Sequence, residues 1–420
     1  MSDSTPESSD DVEVEPVQFN PADLVDMEAE EAVHTLIRQA VDLSASDLFL
    51  LTDQRSVCLS VRRLGIVERI AVVPLIQGRH MISFIKANAG MDISEHRRPM
   101  DGRWLLELDD QRFDIRVNMI ASLFGEDISL RIWDRKAGLM PLEKVGLTNR
   151  EMSMLKSMLT RPSGLILVTG PTGTGKTTTL YACLQHLQNG DRKINTLEDP
   201  VEFSLDGVRQ SQVMSKIGLG FSELLRNVLR QAPDVIMVGE IRDEDTADTA
   251  IRAANSGHLV LATLHAPYAV GAVQSMLALG SQPHFLSSCL LGIIAQRLVR
   301  TLCDKCCVSY DISGSPETFA DIQDLLEKDE GKAIYGPTGC DACLQAGYSA
   351  RTGLFELMTL NGEIRRLIAT GGSARELEEA AEQNGMVTFR RGALLKVAQG
   401  ITSTEEILRD VPAEYLGLED

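Results

Sequence analysis

The stretch GPTGTGKTT, Gly170 to Thr178, has the residue types and spacing of a phosphate-binding loop: Gly170, four residues, then Gly175-Lys176-Thr177. Glycines let backbone N–H groups approach phosphate oxygens, and a helix that follows presents its positive end to them. The apolar run before the loop reads as a strand, and TLYACLQHL after it reads as a helix ended by Gly190. That is the context the motif requires. The candidate nucleotide-binding residues are Gly170, Pro171, Thr172, Gly173, Thr174, Gly175, Lys176, Thr177 and Thr178. Lys176 is expected to reach the β and γ phosphates of ATP, and the Thr177 hydroxyl to ligate Mg²⁺.

Three further segments place acids and imidazoles beside apolar strands. DVIMVGEIRD ends its apolar run on Gly239-Glu240, so the acid falls one position later than in many phosphate-loop enzymes. Glu240 there is a candidate base that polarises an attacking water. TLEDPVE supplies Glu198, Asp199 and Glu202, and SGHLVLATLH supplies His258 and His265. Strand C-termini converge on the ligand crevice of a doubly wound sheet, which makes all of these candidates for facing the phosphates.

Cys303-x₂-Cys306 and Cys340-x₂-Cys343 have the spacing of a tetrahedral four-thiolate zinc site. Cys307 stands beside the ligands as a fifth thiol outside the set. With no sign of secretion, paired cysteines point to metal rather than to disulfides.

The elements that must position these groups follow from periodicity. Apolar strands KINTLED, DVIMVGE and LVLATLH alternate with helical segments, the pattern of a parallel sheet covered on both faces. TNREMSMLKSML supplies a capped helix before the loop. Upstream, strand-like segments with turn residues, a helix at HMISFIKANAGM and a turn at Asp109-Asp110 make an α+β domain. At 420 residues the chain has room for two or three domains. Eleven acidic residues precede Arg38, the first basic one, so the N-terminus reads as a disordered acidic tail. The net charge of −19 disfavours nucleic acid as a main partner, because phosphate neutralisation needs clustered cations. No apolar run has the length of a spanning helix and no signal pattern is present, which makes the cytoplasm the default location.

Taken together, GPTGTGKTTTL, TLEDPVE, APDVIMVGEIRDEDTADTAIRAANSGHLVLATLHA and AQRLVRTLCDKC resemble the secretion ATPase superfamily, nearest to its type II secretion and type IV pilus assembly branch. The family's Walker A, Asp box, Walker B and His box correspond in order to residues 170–177, 196–202, 234–243 and 257–265. The resemblance implies a PAS-like N-terminal α+β domain and a RecA-like ATPase domain, arranged as a homo-hexamer with ATP between the domains. Arg116 and Arg131 fall on the positions of the family's phosphate-contacting arginines. The N-terminal domain departs from the family pattern at Phe49, Leu64 and Met100.

The resemblance further implies a zinc insert at the four cysteines, which retraction and conjugation relatives generally lack. It also implies a platform partner at the cytoplasmic face of the inner membrane, with membrane contact only through that partner. The expected organisation is an acidic tail over 1–28, a PAS-like domain over 29–135 and a linker with leading helix over 136–160. A RecA-like core over 161–300, a zinc subdomain over 301–350 and a C-terminal helical region over 351–420 follow. The expected function is ATP hydrolysis driving pilin or pseudopilin assembly. A retraction motor, and a scaffold that binds ATP without turnover, are the two other readings.

Overall fold

The computed structural model describes residues 23–108, 111–134 and 139–417. The chain divides into two compact units, Met1–Lys136 and Ala137–Asp420. The expected turn at Asp109-Asp110 and the acidic tail up to residue 22 lie outside the described residues. From Asp23 the chain is structured. A short helix, Asp23–Asp26, buries Leu24 in the core of the first unit, so the structured part begins earlier than residue 29.

The first unit is a six-stranded antiparallel sheet in the order β3-β2-β1-β6-β5-β4. Its strands are β1 (Asp47–Thr52), β2 (Ser56–Arg63), β3 (Ile66–Pro74), β4 (Met100–Leu108), β5 (Gln111–Ala121) and β6 (Glu126–Asp134). Helices Ala29–Asp42 and Leu75–Asn88 contribute Leu36, Ile37, Met81 and Ile85 to a core shared with Leu48, Leu50, Ile115 and Leu130. Residues alternating with these strand positions point to the opposite, more polar face.

The second unit is built on a seven-stranded sheet in the order β15-β12-β7-β11-β10-β8-β9. The strands are β7 (Gly164–Thr169), β8 (Ile194–Glu198), β9 (Val208–Gln212), β10 (Val235–Val238), β11 (Leu259–Leu264), β12 (Leu290–Leu302) and β15 (Tyr348–Thr359). A separate two-stranded ribbon joins β13 (Val308–Asp311) to β14 (Ala333–Gly336). Every pairing in the large sheet is parallel except that of β12 with β15. This is the α/β architecture expected from the alternation of strands and helices.

Two cores flank the sheet, and each central strand serves both. Leu165 and Leu167 enter one core while Ile166 and Val168 enter the other, the period of two that a strand imposes. Helix Lys176–Leu187 covers one face with helix Asn149–Leu159, and helices Glu244–Asn255 and Ala269–Ala278 cover the other. Helix Asn149–Leu159 starts with the capping box expected of TNRE: the Thr148 hydroxyl accepts from the Glu151 amide, and the Glu151 carboxylate accepts from the Thr148 amide.

The C-terminal region does not begin as helix. Residues 348–359 form β15, paired with β12 along almost its whole length, and the helices start only at Gly362. The run GLFELM is buried on both faces of the sheet, which a long apolar strand allows. Within β15 the buried carboxylate of Glu356 accepts the amides of Ala269 (3.0 Å) and Phe389 (2.9 Å), the first residues of two separate helices.

Candidate functional site

Strand β7 is buried at all six positions and delivers the loop at its C-terminal end. Gly170 leaves the strand at φ +142, and a Cβ there would lie 2.4 Å from the Gln296 carbonyl oxygen. No other residue fits that turn and that approach. Gly175 (φ +86) is the residue before helix Lys176–Leu187, whose first-turn N–H groups have no intrahelical acceptor. Together the loop and the helix start offer a row of amide donors suited to phosphate oxygens.

The Lys176 ammonium donates to the carbonyls of Gly170 (2.7 Å) and Pro171 (2.9 Å). Burial lowers its pKa and the Glu240 carboxylate counteracts that, so an anion stands close enough to matter. Thr177 is exposed in the first helical turn, as a metal-ligating hydroxyl needs to be. Gln296, on β12, donates from Nε2 to the Thr174 carbonyl at 2.6 Å, while its buried Oε1 accepts no hydrogen bond from any described residue. It braces the loop from the neighbouring strand. Sequence reading gave it no role, although it lies in the quoted segment AQRLVR.

Glu240 stands two residues past the end of β10. The offset has a steric cause: Gly239 donates to the Leu197 carbonyl (2.7 Å), and a Cβ at Gly239 would meet that oxygen at 2.9 Å. The acid therefore comes one position later. Its two oxygens are held from opposite sides, Oε1 by His265 Nε2 at 2.8 Å and Oε2 by an Arg242 terminal nitrogen at 2.6 Å. Arg242 also approaches Asp199 at 3.8 Å, and both carboxylates raise its pKa, that of Glu240 most through a hydrogen bond. Arg242 was not singled out from sequence. Its position two residues after the acid was the available signal.

Three expected site residues are placed differently. His258 precedes β11, whereas His265 follows it, so the strand separates them by about 23 Å at roughly 3.3 Å per residue. The His258 ring pairs with the Ala253 carbonyl (3.0 Å), at the end of the sheet away from the phosphate loop. Glu198, the last residue of β8, is buried and accepts three hydrogen bonds: Tyr181 donates to one oxygen, Thr196 (2.6 Å) and Gln210 (3.0 Å) to the other. Burial first, then the Glu198 charge, pushes the Tyr181 phenol up, which keeps it a donor. Glu202 is tied to the same cluster through its amide, which donates to the Tyr181 hydroxyl at 3.3 Å. The Glu198 carboxylate and the Glu202 amide tie the segment after β8 to the helix behind the phosphate loop.

In the first unit Arg116 of β5 and Arg131 of β6 lie directly opposite one another. Arg131 Nε is 3.2 Å from Asp47 Oδ1. Phe49, at a departure from the family pattern, carries the Arg62 guanidinium 5.5 Å above its ring.

The four sulfurs of Cys303, Cys306, Cys340 and Cys343 lie within 4.8 Å of one another, and the closest pairs are 3.8 and 3.9 Å apart. A tetrahedron with metal–sulfur bonds of about 2.3 Å sets its sulfurs about 3.8 Å apart, so the donor set fits Zn²⁺. Amides of Gly339, Cys340 and Gly347 point at Cys306 and Cys343 sulfurs from 3.2–3.3 Å, the outer contacts a thiolate favours. Cys307 lies outside the cluster. The polar excursion between the pairs has a second attachment. Phe319 and Ile322 are buried in the main core, and Asp321 and Asp324 pair with Arg390 and Arg391.

The Type II/IV secretion system protein family matches residues 25–409. The chain is 38% identical to the type II secretion system ATPase E of Vibrio cholerae over 90% of this chain and 74% of that one. It is 36% identical to the type IV pilus assembly ATPase PilB of Thermus thermophilus, over 93% of this chain and 44% of the longer protein. Among solved structures, the pilus retraction motor PilT with bound ADP aligns at a TM-score of 0.62 and 26% identity, covering 90% of this chain and 96% of PilT. By the extent of that family match and the shared length of its relatives, this chain belongs to the Type II/IV secretion system protein family.

Proposed function

We propose that the chain is a phosphate-loop ATPase whose hydrolysis of ATP drives assembly of pilin-like subunits in a type II secretion or type IV pilus machine. The observation that carries this reading is the convergence of Lys176, Glu240, His265 and Arg242 at one end of the parallel sheet. Amides of Gly170 to Thr178 cradle the phosphates, Lys176 swings from its own loop carbonyls to the β and γ phosphates, and Thr177 holds Mg²⁺. Bound Mg²⁺ neutralises charge on the transferring phosphoryl group. Glu240 takes the proton of the attacking water. His265 and Arg242 fix both of its oxygens, so the base is aimed before reaction.

Arg116 and Arg131 stabilise phosphoryl charge, a task suited to planar, permanently charged side chains. The assembly is a homo-hexamer acting on an inner-membrane platform protein from the cytoplasmic side. Among the described residues no helix is long and apolar enough to cross a membrane. Cys303, Cys306, Cys340 and Cys343 hold a structural zinc ion, since four protein ligands leave no position for water. Nucleic acid has no part in this reading.

The likeness to a retraction motor favours a second reading, the same engine run for disassembly. One experiment addresses both. Loss of the gene, and its replacement by Lys176→Ala, are expected to abolish secretion or surface pili in the host and ATP turnover in the purified protein. Excess pili in the null strain would establish retraction instead, and turnover by Lys176→Ala at the native rate would refute the site.

A further inference from the structure

Residues directly opposite on neighbouring strands share one face of a sheet. In the first unit the register sets Arg62, Asp47, Arg131, Arg116 and Arg103 in a single row across β2, β1, β6, β5 and β4. With strands about 4.8 Å apart, the row is about 19 Å long. Like charges directly opposite repel, so three consecutive arginines on adjacent strands need something to hold them. Arg103 is paired with Asp114, outside the row, through Nε at 2.8 Å.

Asp47 is the one carboxylate within the row, and it is shared. Oδ1 lies 3.2 Å from Arg131 Nε, Oδ2 lies 3.5 Å from Arg62 Nε, and the Ser46 hydroxyl donates to Oδ2 at 2.7 Å. Arg62 is restrained again by the Gly65 carbonyl (3.3 Å) and by the Phe49 ring. The Asp47 side chain is 13% exposed, while that of Arg131 is 57% exposed. The fixed partner is therefore the acid and the reaching partner is Arg131. A guanidinium carries five N–H donors, and contact at Nε leaves the terminal nitrogens for another anion.

We propose that Asp47 is a positioning residue for ATP turnover: it holds Arg131 side-on through Nε and sets the direction in which its terminal nitrogens meet the transferring phosphoryl group. An arginine anchored in this way loses less rotamer freedom on engaging phosphate than an unanchored one. Arg62 fixes the far oxygen of Asp47 and so keeps the carboxylate from turning toward solvent. The inference rests on the phosphate role proposed above for Arg131.

The test compares Asp47→Ala, Arg131→Ala and the double variant in the full-length protein, reading kcat and KM for ATP. Asp47→Ala is expected to lower kcat on the order of tenfold while KM stays within about twofold, because the contact acts on the transition state. The double variant should be no slower than Arg131→Ala. Asp47→Asn keeps one acceptor oxygen for Nε and should recover part of the rate, with thermal unfolding near that of the native protein in all cases. A native kcat in Asp47→Ala with Arg131→Ala impaired would overturn the proposal, as would losses that multiply in the double variant or appear in KM alone. A native kcat in Arg131→Ala would remove the phosphate role itself, and the positioning role with it.

Discussion

Two carboxylates at the ends of neighbouring strands, Glu198 as the last residue of β8 and Glu240 two residues after β10, have different surroundings. Glu198 is buried among neutral donors from Tyr181, Thr196 and Gln210, and every one of those bonds holds the fold together. Glu240 is held by ionisable groups, His265 and Arg242, and stands near Lys176. Three neutral donors occupy most of the acceptor sites of the buried Glu198 carboxylate. The partners of Glu240 each hold one of its oxygens and so fix the direction of the carboxylate. Position at a strand end therefore does not give two acids the same surroundings; the partners differ.

The largest test of that contrast is Glu240→Gln. It keeps the side-chain shape and removes the proposed base, so ATP hydrolysis should fall on the order of a hundredfold or more, with nucleotide binding retained. Turnover near the native rate would erase the distinction between the two acids. His265→Ala removes one of the two tethers of Glu240 and should slow turnover about tenfold through misorientation, with little change in melting temperature. A large loss of stability without loss of rate would class His265 with the Glu198 cluster.

Tyr181→Phe makes the reverse prediction. It strips a donor from buried Glu198 and should cost about 1–3 kcal/mol of stability, seen as a drop of several degrees in thermal unfolding. The turnover number should change far less than in Glu240→Gln. The smallest effect is expected from His258→Ala: at most about 1 kcal/mol from one partly buried hydrogen bond, and native ATP turnover. A loss of turnover there would contradict its position at the far end of β11.

The sequence made the phosphate loop, the strand ends and the Thr148–Glu151 capping box legible, because each depends on residues a few positions apart. The separation of His258 from His265 was legible too. His258 and His265 flank one strand, and strands of a parallel sheet place all their C-termini together, so only the second could face the phosphates. Glu198 could not be read in this way. Two of its three donors come from a helix and from β9, and spacing along the chain does not reveal them. The same holds for β15: the buried run GLFELM fits a helix or a strand until its pairing with β12 decides. In the first unit the row of arginines emerges only from register, since its members lie on five strands.

Glu356 binds the starts of two helices with one side chain, and this has a consequence for amide exchange. Ala269 N–H and Phe389 N–H are 120 residues apart, yet neither can lose its acceptor independently of a rotation that also disturbs the other. Their deuterium uptake should therefore share one opening free energy, set by the withdrawal of a single buried carboxylate and not by the fraying of either helix alone.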